Sequence, residues 1–330
     1  MKKIMVGLLV LVLLVGCSPG TQSPASDKTL VITTLFPQYD FARVIGGEEI
    51  DLRLLLPPGT EPHQFEPKPQ DVASISEADV FLYTGDVMEP WVEGILSSAK
   101  PALVKDVSEG VTLLKTREDH DDHDHHEEEH DDHEEGHDDH DEEHGDHEEH
   151  AHDHGGVDPH IWTSLENARI MAKNVLDALV EADPAHEELF RSRWEAYDQE
   201  LLALDEEYIS VISELPNKTL LYGGHFAFGY LAERYGLTHR SPYAGYSTNA
   251  EPTPVEMAKL IDALKETHST TLYFEELTDP RVAQAIADET GAQLVLLHGA
   301  HNLSPEEAEQ GLTYMQIMKD NLDKLRKGLQ

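Results

Sequence analysis

Short apolar runs alternate with amphipathic segments along the first part of the chain. Runs such as TLVITT and ADVFLY have the length and the β-branched or aromatic content of buried strands, and the stretches between them carry apolar residues at helical spacing. Strands are therefore predicted over 29–34, 52–56, 78–83 and 102–105, and helices over 37–45, 69–77 and 91–98. Because parallel strands are joined by helical crossovers, this alternation predicts a parallel sheet flanked by helices.

The same alternation returns in the second half of the chain. Strands are predicted over 219–222, 271–274 and 293–297, with helices that include 226–235 and 254–266. Between the halves, one amphipathic helix is predicted over 165–181, and a second runs from Asp183-Pro184 to about Leu215. At about 1.5 Å per residue the second helix would be about 45 Å long. It is long enough to run along both halves as a brace.

The N-terminus has the pattern of a targeting segment. Lys2 and Lys3 precede an apolar run over 4–15, which is too short to cross a membrane comfortably and fits a secretory signal peptide over 1–16. Its end, LVGC, resembles the bacterial lipobox, in which cleavage precedes a cysteine that is then lipidated. Cys17 is the only cysteine of the chain, so neither an internal disulfide nor a cysteine zinc site is available. We expect acyl chains on Cys17 and a flexible tether over 17–28 to anchor the protein outside the cytoplasm, at the bacterial cell membrane; a chance cysteine after a signal is the alternative.

The net charge of −41 excludes nucleic acid as a natural partner. Much of it lies in a low-complexity tract over 117–154, which holds 13 of the 21 histidines among acidic residues. The loop over 116–156 should be disordered, because almost nothing in it is apolar. It can collect metal ions weakly or serve as a solvated spacer. Two H-E-x-x-H matches within it, 126–130 and 133–137, are expected by chance in such a composition and do not indicate a metalloprotease.

Four histidines outside the tract lie where a ligand site is expected. His63, His225 and His301 each follow a predicted strand, and His160 precedes the helix predicted from residue 165. In open parallel sheets, ligands bind beyond the carboxyl ends of the strands. Each histidine taken singly is more often a capping or surface residue, but their shared placement, from both halves of the chain, predicts that they converge on one cleft.

Several segments resemble the zinc/manganese solute-binding lipoproteins of ABC-type metal importers. They are GTEPHQFEPKPQDV, the histidine-rich insert, DPHIW, GGHFAFGYLAERYGL and the closing LLHGAHNLSPEEAEQGLTYMQIMKDNLDKL, and the resemblance extends from Leu30 onward. It implies an α/β fold with two lobes, each a small parallel sheet flanked by helices, joined by one long rigid helix. We accordingly predict an N-terminal lobe over 29–184, a linking helix over 185–215 and a C-terminal lobe over 216–330. The resemblance also implies a monomer that is not an enzyme and that delivers its metal to an importer permease.

The resemblance implies the metal ligands residue by residue. His63, His160 and His225 match the three histidines of the family. The fourth family position is commonly Asp or Glu, whereas His301 occupies it here; His298, Glu275 and Glu276 are the competing candidates.

This nitrogen-rich set favours Zn²⁺ over Mn²⁺, which prefers oxygen ligands. Four imidazoles would form a closed tetrahedral site with no open position for an activated water, which argues against hydrolysis. A manganese receptor of the same family, and a surface zinc buffer or adhesin without a transport role, remain the alternative functions.

Overall fold

The computed structural model describes residues 28–115, 156–243 and 252–330. The strands of the first half are β1 (Thr29–Thr33), β2 (Ile50–Leu54), β3 (Val80–Tyr83) and β4 (Leu103–Asp106), and its helices are α1 (Phe36–Gly46), α2 (Pro69–Glu77), α3 (Gly85–Met88), α4 (Trp91–Leu96) and α5 (Leu165–Ala182). The long helix α6 (Glu187–Glu214) follows. The second half has strands β5 (Thr219–Leu221), β6 (Thr238–Arg240), β7 (Thr271–Phe274) and β8 (Gln293–Leu296), and helices α7 (Gly229–Tyr235), α8 (Pro254–Glu266), α9 (Arg281–Thr290), α10 (Pro305–Gln310) and α11 (Tyr314–Gly328).

Both halves contain parallel strands, as the sequence predicts. In the first half the strand order is β2-β1-β3-β4, and every neighbouring pair is parallel. In the second half β5 pairs with β6 and β7 with β8, again in parallel, and a bridge between Tyr222 and Tyr273 brings the two pairs together. The carboxyl ends of parallel strands lie at one edge of a sheet, so the loops that follow them are the ones able to share a site.

The long helix packs against both halves. Helix α6 contacts α1 and α5, which precede it in the chain, and α7 and α11, which follow it. Its apolar face enters one continuous core that joins residues as far apart as Phe41, Tyr208 and Tyr314. The α/β architecture with a long connecting helix is thus confirmed, whereas the division of the chain at residues 184 and 215 stays a prediction.

One local prediction is wrong, and one strand is missing from the predictions. The helix predicted from residue 226 begins only at Gly229, and Phe226, Ala227 and Phe228 are instead buried in the loop that follows β5. Strand β6 was not expected, because Thr-His-Arg contains no apolar residue and all three side chains are exposed. Tertiary packing decides both cases, because burial of residues 226–228 prevails over the helical pattern and the Thr-His-Arg segment has no apolar residue to indicate a strand.

Several predicted features lie outside the described residues. These are the signal segment, Cys17, most of the tether and the histidine-rich tract from residue 116 to 155. Among the helices of the described ranges, none combines the length and the apolar character needed to cross a bilayer.

A buried carboxyl group lies beside the ends of β1 and β3. Glu89 is 2% exposed, accepts a hydrogen bond from the Thr84 backbone N–H at 2.5 Å, and has a pKa raised by burial from 4.5 to about 7. The folded protein therefore holds this proton more tightly than the unfolded chain does. Stability from this group is present below pH 4.5 and is lost as the pH rises through about 7, by roughly 3 kcal/mol in total.

We therefore expect Glu89→Gln to remove this part of the pH dependence and to be more stable than the natural chain at pH 8. Urea unfolding at pH 5 and at pH 8 measures the difference. Glu93→Gln, at an exposed carboxyl of α4, is the control and should leave both values unchanged. Equal pH dependence in Glu89→Gln and the natural chain would contradict the expectation.

Candidate metal centre

The structure brings the four predicted histidines together. His63 lies in a turn after β2, His160 precedes α5, and His225 and His301 lie in the loops after β5 and β8. One ring nitrogen from each of His63, His160 and His225 lies within 4.8 Å of the other two. The His301 ring joins them, with its centroid 5.0 Å from that of His160 and 6.1 Å from that of His63.

Three of the four imidazoles have a carboxylate at Nδ1. The distances are 2.7 Å from His160 to Asp158, 3.3 Å from His225 to Glu275 and 3.1 Å from His301 to Glu276. A carboxylate at this position holds the ring proton on Nδ1 and leaves the Nε2 lone pair available to a metal. Asp158 is only two residues from His160 in the chain, whereas the two glutamates are 50 and 25 residues from their histidines.

Burial keeps two of the rings neutral. His160 is 0% exposed, and burial together with the neighbouring histidines lowers its pKa well below the usual range. Burial also lowers the pKa of His63, with a further contribution from His160. At His301, burial is the largest influence and lowers the pKa, but the hydrogen bond and charge of Glu276, with the charges of Glu61 and Glu275, together raise it above the usual value. A neutral imidazole needs to release no proton before it binds a metal.

The spacing of the nitrogens fits a small transition-metal ion. His63 Nε2 and His160 Nε2 face each other at 3.0 Å. In a tetrahedral zinc site with Zn–N bonds of about 2.0–2.1 Å, two ligand nitrogens lie about 3.3–3.4 Å apart. These two nitrogens would therefore need to move apart by only a few tenths of an ångström to bind the same ion.

The backbone of the loop that carries His301 leaves space for the imidazole ring of His301. A Cβ atom at Gly299 would lie 2.6 Å from His301 Nδ1, so only glycine fits there without displacing the imidazole. Ala300 has a φ of 57°, a left-handed conformation that an alanine adopts only when its surroundings impose it. The buried Trp162 ring lies against both His160 and His301, and its Nε1 donates to the Gly299 carbonyl at 2.7 Å. No local pattern in the sequence indicates these roles, because the partners are far apart along the chain.

The three competing candidates for the fourth ligand lie around the four rings. Glu275 and Glu276 contact Nδ1 of His225 and His301, as described above. His298 contacts the same Glu276 oxygen as His301 does, at 3.2 Å, and its Nδ1 also accepts the Ala300 N–H. Of the described residues, only His63, His160 and His225 form a group in which one possible ligand atom from each of three residues lies within 4.8 Å of the other two. All four ligands stay predictions, and His301 lies outside this group of three.

The ends of the histidine-rich tract lie beside this centre. Lys115 and Val157, on either side of it, form an isolated antiparallel bridge. The Tyr230 hydroxyl, from α7, donates to the Asp158 carbonyl at 2.8 Å and accepts the Leu114 N–H at 3.0 Å. The tract therefore leaves the described part of the chain only a few residues from His160.

Comparisons with known proteins agree with this geometry. A family model described as zinc-uptake complex component A, periplasmic, matches residues 31–328. The chain is 36% identical over 312 residues to the high-affinity zinc uptake system protein ZnuA of Bacillus subtilis, a match that covers 94% of this chain and 90% of that protein. It is 31% identical to the zinc-binding lipoprotein AdcA of Streptococcus pneumoniae serotype 4, of which it spans 61% of the length.

A solved structure shows the same fold. The Zn(II)-bound ZnuA-like domain of Streptococcus pneumoniae AdcA superimposes with a TM-score of 0.70 and 28% identity, covering 92% of this chain and 99% of that one. The family model extends over most of the chain and includes all four histidines. This chain therefore belongs to the zinc-uptake complex component A family.

Proposed function

We propose that the protein captures one Zn²⁺ ion between its two halves and delivers it to the permease of an ABC importer. The convergence of three ring nitrogens, from His63, His160 and His225, within 4.8 Å carries the proposal. His301 is the proposed fourth ligand. Family membership and the names of the relatives support zinc as the cargo, since ZnuA of Bacillus subtilis is a zinc uptake protein and the AdcA domain was solved with Zn(II).

The chemistry of the proposed ligand atoms also favours zinc. Four imidazole ligands suit Zn²⁺ and its neighbours, whereas Mn²⁺ prefers oxygen ligands. The carboxylates that lie nearest to the rings are engaged at Nδ1 and would act through the imidazoles. A site that is closed by four ligands has no open position for a reactive water, so we propose binding and release rather than catalysis.

Lipidation of Cys17 would hold the receptor at the membrane, near the importer. This part of the proposal rests on the sequence, and the name of AdcA, a zinc-binding lipoprotein, supports it. The receptor is proposed to act as a monomer. The lobes over 29–184 and 216–330, with the linking helix over 185–215, are the units between which the ion would lie.

Titration of a tract-free protein tests the proposal. A short glycine turn replaces residues 116–156, which is feasible because Lys115 and Val157 already lie side by side. Isothermal titration should give one tight zinc site per chain, because the four histidines are retained. Absence of a tight site would overturn the proposal. Competition between Zn²⁺ and Mn²⁺, followed by the shift in melting temperature, should favour zinc; a preference for manganese would support the manganese receptor instead.

Growth distinguishes transport from storage. A cell that lacks the protein should grow poorly in chelated medium, and added zinc should restore growth. Unchanged growth would favour a surface buffer or adhesin.

A further inference from the structure

The loop after β8 has a fully buried asparagine next to His301. Asn302 is 0% exposed, and its Oδ1 accepts the N–H of Leu303 at 2.9 Å. Its amide nitrogen points away from its own loop. It donates to the backbone carbonyls of Pro57 and Thr60, at 2.7 and 3.0 Å.

These bonds join the two halves of the chain. The Gly59 N–H donates to the Leu303 carbonyl at 2.7 Å, next to the two bonds from Asn302. We call these three hydrogen bonds the Asn302 clasp. Residues 57–60 lead directly into the turn of His63, and Asn302 directly follows His301. The clasp therefore fixes the distance between two loops that carry candidate ligands from opposite halves.

His63 has the greatest need of such support. The other three imidazoles are each oriented by a carboxylate at Nδ1, as described above. Within the described residues, no carboxylate lies within hydrogen-bonding distance of the His63 ring, and Glu61 contacts only its backbone N–H, at 3.1 Å. The position of this ring depends on its loop, and the clasp is what holds the loop against the second half.

We propose that Asn302 is a positioning residue for metal binding, whose amide holds the His63 loop in the geometry that the ion requires before the ion arrives. The inference rests on the proposed function, because it takes His63 and His301 as ligands. Without the clasp the ion itself would have to order the His63 loop on binding. Loss of residues that orient metal ligands typically weakens binding about 10- to 100-fold.

Two substitutions separate the hydrogen bonds from Asn302 to the Pro57 and Thr60 carbonyls from its local hydrogen bond with Leu303. Asn302→Asp keeps the shape of the side chain and the bond to Leu303, but it has no NH₂ group and cannot donate to both the Pro57 and the Thr60 carbonyls. Asn302→Ala removes the three side-chain hydrogen bonds of Asn302, those with Pro57, Thr60 and Leu303, and leaves the backbone bond between Gly59 and Leu303. Both variants should bind Zn²⁺ about 10- to 100-fold more weakly in competition titrations with a chromophoric chelator. Both should also alter the visible spectrum of bound Co²⁺, because His63 no longer stays in place.

The matched control is Asn174→Ala. Asn174 likewise donates its amide to two distant backbone carbonyls, those of Val107 and Glu109, at 2.9 and 2.8 Å. This variant should lose similar hydrogen bonds yet keep the natural zinc affinity and Co²⁺ spectrum. If the natural chain itself lacks a tight zinc site, the proposed function fails. If the natural chain binds and both Asn302 variants bind equally well, only the clasp proposal fails.

A mutant cycle adds a second criterion. Asn302→Asp should weaken zinc binding much less in a His63→Ala background than in the natural chain, since its effect passes through His63. Equal effects in both backgrounds would overturn the proposal, as would an Asn302→Asp variant that binds normally while Asn302→Ala does not. Circular dichroism checks folding, and Asn302→Ser, too short to reach both carbonyls, replaces any variant that does not fold.

Discussion

Replacing His160 with alanine should weaken zinc binding by roughly 100- to 1,000-fold. Structural zinc sites with four ligands bind with about 10–16 kcal/mol, which corresponds to about 2.5–4 kcal/mol for each ligand. His160 lies at the middle of the cluster. Its Nε2 lies 3.0 Å from His63 Nε2, and its ring centroid is 5.1 Å from that of His225 and 5.0 Å from that of His301.

The buried surroundings of His160 increase the expected loss. Asp158 is fully buried, and burial raises its pKa to about 7. When the imidazole is removed, this carboxyl group keeps the His160 backbone N–H at 2.9 Å but loses the ring nitrogen at 2.7 Å. Competition titration of the full-length protein with a zinc chelator measures the effect, after the tight site has been distinguished from weak binding by the tract.

His186→Ala is the control for this experiment. His186 is exposed near the start of α6, where it pairs with Asp183 at 2.6 Å, and it should be dispensable for zinc. An affinity of His160→Ala within about threefold of the control would remove His160 from the proposed site.

The helices and strands that position this site are predicted well from the sequence. Helix α2 begins at Pro69 and ends at Glu77, and β7 extends from Thr271 to Phe274, as their local patterns indicate. Parallel strands bring their carboxyl ends to one edge, so the convergence of His63, His225 and His301 follows from topology alone. The placement of His160 does not follow from a strand end, and it depends on the resemblance of DPHIW to the family.

The partners of the histidines are less accessible to prediction. Asp158 is two residues from His160, and this spacing is visible in the sequence. Glu275 is 50 residues from His225, and the bond between Trp162 and Gly299 spans 137 residues. Contacts of this kind depend on how the two halves dock, and no periodicity along the chain encodes the docking. The same holds for the loop over 226–228, where burial prevails over a helical pattern.

Replacing His301 with alanine should weaken zinc binding by roughly 100-fold, far more than the change of His239 to alanine. The estimate follows from the free energy available per ligand. His301 is 5% exposed, its ring packs on those of His160 and Trp162, and Gly299 leaves space for it. The substitution would open the tetrahedral site to solvent on one side and leave Glu276 without one of its two imidazole partners.

His239→Ala is a demanding control, because the His239 side chain lies close to the site but is not a proposed ligand. Its ring stacks on Phe226 at a centroid distance of 3.7 Å, next to His225 in the chain, yet His239 belongs to the exposed strand β6. Both variants are compared with the natural chain by zinc competition titration and by the melting temperature without metal. A His301→Ala variant that binds as tightly as His239→Ala would exclude His301 as the fourth ligand. Glu275→Gln, Glu276→Gln and His298→Ala would then be the substitutions that identify the residue in its place.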